Sequence, residues 1–532
     1  MQRTPDRSRL LLALPLLAAG CGGREAFYKD EVQLGSPIAL DAQLMWVDAD
    51  ANQGYLLDVT GHLGPAATRV KLPVGATAKQ QRRGKHDEIL VLCAGRRASA
   101  KEDAVPAMLV AVEESGDTRE YELGNPFDLV KQSDDGRYAF LLKTKATGRL
   151  LDNPNEVAIV DLDADPGKNH KDGTVLRTLT SFGDSPDDVV FSPPLRILEG
   201  DASKRRLAVV LSETTVTLID LDHPERRETS VQLSGEVGAV APTQVEFSAQ
   251  DPVLYVRGKG SDDVFVFHLD KRPTGGDDTG EEHNDFRPSI NQLVVGQGPV
   301  DMQLYEGSDG AERLLVLAQD SRELAIVDAA SSRVVHVPLT VTQQHIMLFQ
   351  APAPQDAEIS QRALLWSEGQ SQVTFVDLEG IEERLDRNLT EARVASGVTR
   401  AIPMLGDNLV LFLHDAETVS LLDLAARTVS PISSSEALGD AEFDSERRSL
   451  WVAPPNQPRL GFLNLDEKAP GEVLLDANVD EFVPLFASGK VAVVHKNPFG
   501  YVTVVDVEDP SRDSAKAIRG FMLADVLDRG AP

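Results

Sequence analysis

Three aspartates at alternate positions, Asp161, Asp163 and Asp165, come nearest of any residues in this chain to a metal-binding pattern. Alternate carboxylates in a tight loop can converge on Ca²⁺, a hard cation that takes oxygen ligands. Gly167 and Asp172 follow them. The sixth loop position is Pro166, where a Ca²⁺ loop needs Gly for its sharp turn, and the last is Asp172 rather than Glu. No cofactor is expected; the one candidate is Ca²⁺ on these carboxylates, and the preferred reading is a solvated turn. Asp48, Asp50 and Asn52 before Gly54 read as a hairpin turn. The stretch Gly275 to Asp285 holds Asp277, Asp278, Glu281, Glu282 and His283 without ligand spacing and reads as an exposed loop.

Other chemistry has no local signature. The 10 His are scattered, with no His-x-x-x-His and no Cys-x-x-Cys-His. No Gly-rich phosphate loop or Gly-x-Ser-x-Gly elbow occurs, so no catalytic residue is assigned. Cys93 ends the apolar run Ile89-Leu90-Val91-Leu92-Cys93 and reads as a buried, inert thiol. The formal net charge is -31, which argues against nucleic acid as a partner, because phosphate binding needs clustered cations. It argues equally against adhesion to an anionic lipid surface.

The other cysteine, Cys21, stands at the end of a leader. Arg3, Arg7 and Arg9 precede an apolar stretch from Leu10 to Ala19, too short to span a bilayer as a helix. Ala18, Ala19 and Gly20 then lead into Cys21. This end resembles the lipobox of bacterial lipoproteins, with Ala18 where Leu is commonest. The resemblance implies that residues 1–20 are a signal peptide, that Cys21 becomes the lipid-bearing N-terminus, and that 21–37 form a tether. Removing three Arg and one Asp takes the net charge from -31 to -33. Gly22 in place of Asp after the cysteine favours outer-membrane delivery. No later run reaches the length of a membrane-spanning helix.

The rest of the chain is strand after strand. Short apolar, β-branched runs alternate with clusters of Gly, Asp, Asn, Ser and Pro, and the longest helical candidate, around Gly380 to Ala392, is short. One strand recurs: VAIVD ending at Asp161, VTLID at Asp220, LAIVD at Asp328, VTFVD at Asp377, VSLLD at Asp423 and VTVVD at Asp506. A further copy is Leu-Leu-Asp ending at Asp58, and weaker copies end at Glu113, His268 and Asn464. The interval averages about 50 residues, the scale of a supersecondary repeat. A short polar side chain at that place can accept a backbone N–H in the following turn, a structural task. The clearest unit, Pro299 to Leu339, holds four such strands: PVDMQLY, RLLVLAQ, ELAIVDA and RVVHVPL.

The stretch VVGQGPVDMQL with LLVLAQDSRELAIVDAASSRVVHVPL resembles the YVTN-type β-propeller repeat, and VLYVRGKGSDDVFVFHLD and SDDGRYAFLL echo it. The resemblance covers about 38–530. It implies an all-β propeller of four-stranded blades, with seven to ten repeats and ten counted, and a single ring is preferred. It implies little about function, since propellers host binding, enzymatic and scaffolding roles. The expectation is an envelope-anchored binding or scaffold module for a protein, peptide or glycan, tethered to the membrane by the lipid on Cys21. The alternative is a propeller enzyme, lactonase-like or redox-linked, with its site in the central channel. In such a ring, the turns between second and third strands share a face with the blade-to-blade connections. Two of those turns carry Arg96, Arg97 and Lys101, and Lys143, Lys145 and Arg149, which are candidate contacts for an anionic partner. The apolar run 521–527 is expected to close the ring as the inner strand of the first unit, where too little sequence remains for one.

Overall fold

The structure is a computed structural model. It describes residues 34–522 except 61–66, 86, 144–152, 181–183, 198–202, 236–237, 272–282, 329, 354–355, 383–387, 396, 435–440 and 498. The leader, Cys21, Lys145 and Arg149 lie outside the described residues.

Ten four-stranded antiparallel sheets follow one another along the chain, each in simple sequential order. They span 38–71, 76–124, 129–178, 186–232, 241–294, 299–338, 345–393, 398–433, 441–474 and 481–519, numbered here as blades 1 to 10. Each of the ten recurring polar residues lies at or near the end of a blade's third strand, from Asp58 at the end of Gln53–Asp58 to Asp506 at the end of Tyr501–Asp506. One small hairpin, Ser234–Gly235 with Gly238–Ala239, sits between blades 4 and 5. No α-helix occurs among the described residues. The helical candidate at 380–392 is corrected: Leu389–Arg393 is the fourth strand of blade 7, and its alternate residues meet the third strand.

Apolar burial turns these sheets into a ring. A strand sends successive side chains to opposite faces. Val209 therefore enters the core shared by blades 4 and 5, while Val210 enters the one shared by blades 3 and 4. Both faces of a middle strand are covered, so Leu207–Ser212 and Thr215–Asp220 are buried throughout. This is why those segments read as continuous apolar runs rather than alternating ones. Ten apolar clusters result, one for each neighbouring pair of blades, and the tenth joins blade 10 back to blade 1. Isolated four-stranded units would leave these faces in water; stacking into a closed ring removes them.

The closure differs from expectation. Blade 1 has its own inner strand, the three-residue Ile38–Leu40, paired with Gln43–Asp48. No strand crosses the seam among the described residues. Instead Leu44, Trp46, Tyr55 and Leu57 of blade 1 pack on Val483, Leu485, Val502 and Val504 of blade 10. Phe521 and Met522 are buried in this same cluster without forming a strand. The Trp46 and Phe521 rings stand 5.3 Å apart. Residues 523–527 lie outside the described residues. Blades 10 and 1 meet through a wedge of side chains, because Ile38–Leu40 already occupies the inner position.

Candidate functional site

The Asp161 turn is held by arginines. Arg82, only 2% exposed, donates to Glu88 at 2.8 Å and to Asp163 at 2.5 Å. Its Nε also donates to the Gly136 carbonyl at 2.7 Å. Arg119 donates to Glu88 at 2.7 Å and to the Leu162 carbonyl at 2.6 Å, and the Tyr121 hydroxyl donates to the Leu162 and Ala164 carbonyls. Asp161 pairs with Arg137 at 2.9 Å and accepts the Asp163 N–H at 3.1 Å. Asp165 accepts the Gly167 N–H at 3.0 Å. The three carboxylates thus point at different donors. Among the described residues no group of three or more His, Cys, Asp or Glu converges as a metal site. The geometry reads as a clasp between blades 2 and 3, with each carboxylate engaged by an arginine or a backbone N–H.

The recurring polar residue does what its type suggests. Asp58, Asp161, Asp220, Asp328, Asp423, Asn464 and Asp506 each accept a backbone N–H two or three residues on. The residue just after the polar position commonly donates back to the turn between first and second strands, as Leu162 does to Arg137 and Leu424 to Asn408. Further arginines tie neighbouring blades on this face: Arg177 to Glu228, Arg427 to Asp377 and Arg447 to Glu508.

On the opposite face, the basic side chains differ in exposure. Arg96 is exposed and pairs with Glu102 at 3.1 Å. Arg97 and Lys101 are exposed on the same loop. Lys143 is engaged within its own blade: its side chain is 4% exposed, its ammonium lies 2.5 Å from Glu156, and it sits over the Phe127 ring. Cys93 is buried, and burial pushes its thiol up to about 12.

Toward the ring axis the inner strands are linked by polar contacts. Lys131 reaches Asp188 at 3.0 Å between blades 3 and 4. The Gln244 amide donates to the Met302 carbonyl at 2.8 Å between blades 5 and 6, and Asp301 accepts the Ile346 N–H at 2.7 Å between blades 6 and 7. Arg257 donates to the Gln244 side chain at 3.1 Å and to the Pro299 carbonyl at 2.8 Å. Beside them burial pushes the Glu246 carboxyl up to about 7, and the Asp301 charge adds to the rise.

A recess lies between blades 6 and 7, on the face of the Asp turns. Two adjoining cavities of about 370 and 340 Å³ share Tyr305, Gly307, Ser308 and Leu378. One adds Glu306, Gln350, Ser360, Gln361 and Glu379. The other adds Asp309, Arg313, Arg333 and Glu382. Arg313 is held by Asp309 at 2.7 Å and Glu382 at 2.9 Å, and Arg333 by Glu382 at 3.1 Å. The Arg313 guanidinium holds the Asp309 carboxyl well below the usual range. Tyr305 is buried, which pushes its hydroxyl up to about 12. Beside this groove blade 7 sends out a ribbon. Its first two strands, His345–Ala353 and Asp356–Trp366, are the longest pair in the ring, yet the third strand covers the second only over Arg362–Leu365. Neither groove nor ribbon was read from sequence. The available signal was the wide gap between the start of His345–Ala353 and the buried run Ala363-Leu364-Leu365.

The fold and these surfaces define a ten-bladed β-propeller with a grooved face. No protein-family model matches the chain, and no curated protein matches it in sequence. Among solved structures it is similar to dihydro-heme d1 dehydrogenase NirN in complex with DHE, at 10% identity and TM-score 0.37, covering 92% of this chain and 74% of that one. It is similar to the Dos1 propeller at 11% identity and TM-score 0.39, covering 72% and 93%. A putative 6-phosphogluconolactonase from Bacteroides fragilis is similar at 12% identity and TM-score 0.34, covering 65% and 94%. Likenesses of this degree carry no argument about activity.

Proposed function

We propose that the chain is a lipid-anchored binding propeller of the bacterial cell envelope, tethered through Cys21 and presenting the blade 6–7 groove to a protein, peptide or glycan. The observation that carries the binding role is the blade 7 ribbon, which runs past its own sheet and borders a groove lined by Ser308, Gln350, Ser360, Gln361 and Glu379. Loops and extensions on a rigid scaffold are where binding residues concentrate. The anchor rests on the Arg-rich leader and the lipobox-like end. Gly22 after the cysteine supports the outer membrane as its destination.

Membrane fractionation of Cys21→Ser against wild type tests the anchor. The variant is expected in the soluble fraction, and equal membrane retention contradicts lipidation. The binding role is tested by envelope proteins captured on the lipid-tethered chain, with a ribbon-shortened variant alongside. Loss of a specific captured protein in that variant is expected; an unchanged set contradicts the reading. A second reading, an enzyme working at the central channel, is favoured by Glu246, whose carboxyl near the inner strands titrates close to neutrality. Turnover of a lactone by wild type but not by Glu246→Gln would support it.

A further inference from the structure

Among the described residues, the ribbon of blade 7 leaves one strand edge without a partner. Its second strand pairs with the first regularly over Ile359–Trp366, with a register shift between Pro352 and Ala353 before the last pair at Asp356, but among the described residues nothing pairs with Asp356–Ser360 on the other side. The two edges of the ribbon differ. The first strand carries Pro352, which has no N–H and blocks further pairing. The second strand has no proline from Asp356 to Trp366.

The register shows which way its free groups point. Pro352 stands opposite Ile359, and Gln350 opposite Gln361. The Gln361 carbonyl points away from the first strand, since it accepts the Leu378 N–H at 3.4 Å. Hydrogen-bonding direction alternates along a strand, so the Ile359 N–H and C=O face the same side as Gln361. That is the side of Leu378, which lines the groove with Ser360 and Gln361.

Charge selects the occupant. Glu306 and Glu379 line the groove and are exposed, with no cation paired to either among the described residues. The two arginines nearby are already committed to Asp309 and Glu382. The chain as a whole carries -31. An acidic segment would be repelled here and a basic one drawn in.

We propose that an extended, lysine- or arginine-bearing segment of a partner protein adds as a strand to the Asp356–Ser360 edge, its cations set against Glu306 and Glu379. Main-chain hydrogen bonds to the edge supply affinity and the flanking carboxylates supply selectivity. The inference rests on the binding-module reading and names the chemistry of the partner.

The test uses the full chain and a short, end-blocked synthetic peptide of alternating lysine and valine, with a glutamate-for-lysine counterpart, read by fluorescence anisotropy. The lysine peptide is expected to bind saturably, and the glutamate peptide about tenfold more weakly or worse. Ile359→Pro removes the outward N–H but no ladder bond to the first strand. It is expected to weaken the lysine peptide about tenfold with little change in melting temperature. The double variant Glu306→Gln, Glu379→Gln, both on exposed positions, is expected to weaken binding and flatten its salt dependence. Equal affinity for the two peptides, no saturable binding, or an unchanged affinity in Ile359→Pro overturns the proposal. Should Ile359→Pro unfold, unchanged affinity in the double variant overturns it instead. Replacing 351–358 by a two-residue Asn-Gly turn separates the two levels. If that variant alone loses its envelope partner while Ile359→Pro keeps it, edge pairing is overturned and the binding face stands. If neither loses it, the binding face falls as well.

Discussion

Glu246 shows how position in the ring sets the chemistry of a single side chain. It lies on the inner strand of blade 5, where burial disfavours the carboxylate, so the folded chain binds its proton more tightly than the unfolded chain does. The folded value is raised from 4.5 to about 7. The resulting stabilisation is fully present below the unfolded value and is lost as pH rises through the folded one. Wild type is therefore expected to lose on the order of 2 kcal/mol from this group between mildly acid and mildly alkaline solution, and Glu246→Gln to lose none of it. Urea unfolding of both across that range checks this, and parallel profiles would contradict the burial account. The Asp161 turn makes the converse case. Its carboxylate spacing was legible in the sequence, but its partners were not, because Arg82 is remote in sequence from Asp163 and meets it only across a blade interface. Chelation is expected to leave the melting temperature of wild type unchanged, whereas a drop that Asp163→Ala abolishes would restore Ca²⁺. Arg82→Ala is expected to cost about 1.5–3 kcal/mol, since it removes one charged partner from the buried Glu88 while Arg119 keeps the other.

At the scale of the strand and its turn, the repeat was legible because one physical job recurs in most of the blades. The third strand is buried on both faces, so it is mostly apolar, and the turn after it needs an acceptor for its free N–H groups. In blade 8 Asp423 accepts the N–H groups of Ala425 at 2.9 Å and Ala426 at 2.7 Å. Blade 9 carries Asn464 in the same place, accepting from Asp466 and Glu467. Asp423→Ala is expected to cost about 1 kcal/mol and Asp423→Asn a few tenths at most, because the amide oxygen keeps both bonds. Equal losses in thermal unfolding would show that charge, not the acceptor, matters. Elements without such a repeating constraint were harder to read. Ile38–Leu40 is three residues long and gives no period to detect. Leu389–Arg393 is an outer strand, polar on its solvent side, and its pattern of mixed charges resembled a short helix. The ribbon of blade 7 follows no blade rule at all, and that departure is why it draws attention as a binding element.

The whole molecule is a ring whose stability depends on a seam. Nine blade interfaces join units that are consecutive in the chain; the tenth joins its two ends. Sequence showed that the ends had to meet, because open edges and faces are costly. It could not show that they meet through side chains, because that depends on Ile38–Leu40 filling the inner position. Phe521 fits against Gly500, which has φ +82 and where an added Cβ would stand 2.6 Å from the ring. The Met522 N–H donates to the Phe499 carbonyl at 3.0 Å, and the Gly520 N–H to Gly500 at 2.8 Å. Gly500→Ala is thus expected to expel the Phe521 ring and lower the melting temperature of the whole domain, more than Gly→Ala does at an exposed turn such as Gly369. The most direct test of face-to-face closure is calorimetry on two chains, one ending at Met522 and one at Arg519. Burial of Phe521 and Met522 contributes about 3–5 kcal/mol. Spread over an unfolding entropy of about 1 kcal/mol per kelvin, that lowers the midpoint by about 3–5 °C. The account expects one transition in both chains, shifted by that amount in the shorter one. An unchanged midpoint, or a separate early transition of blade 10 alone, would contradict it.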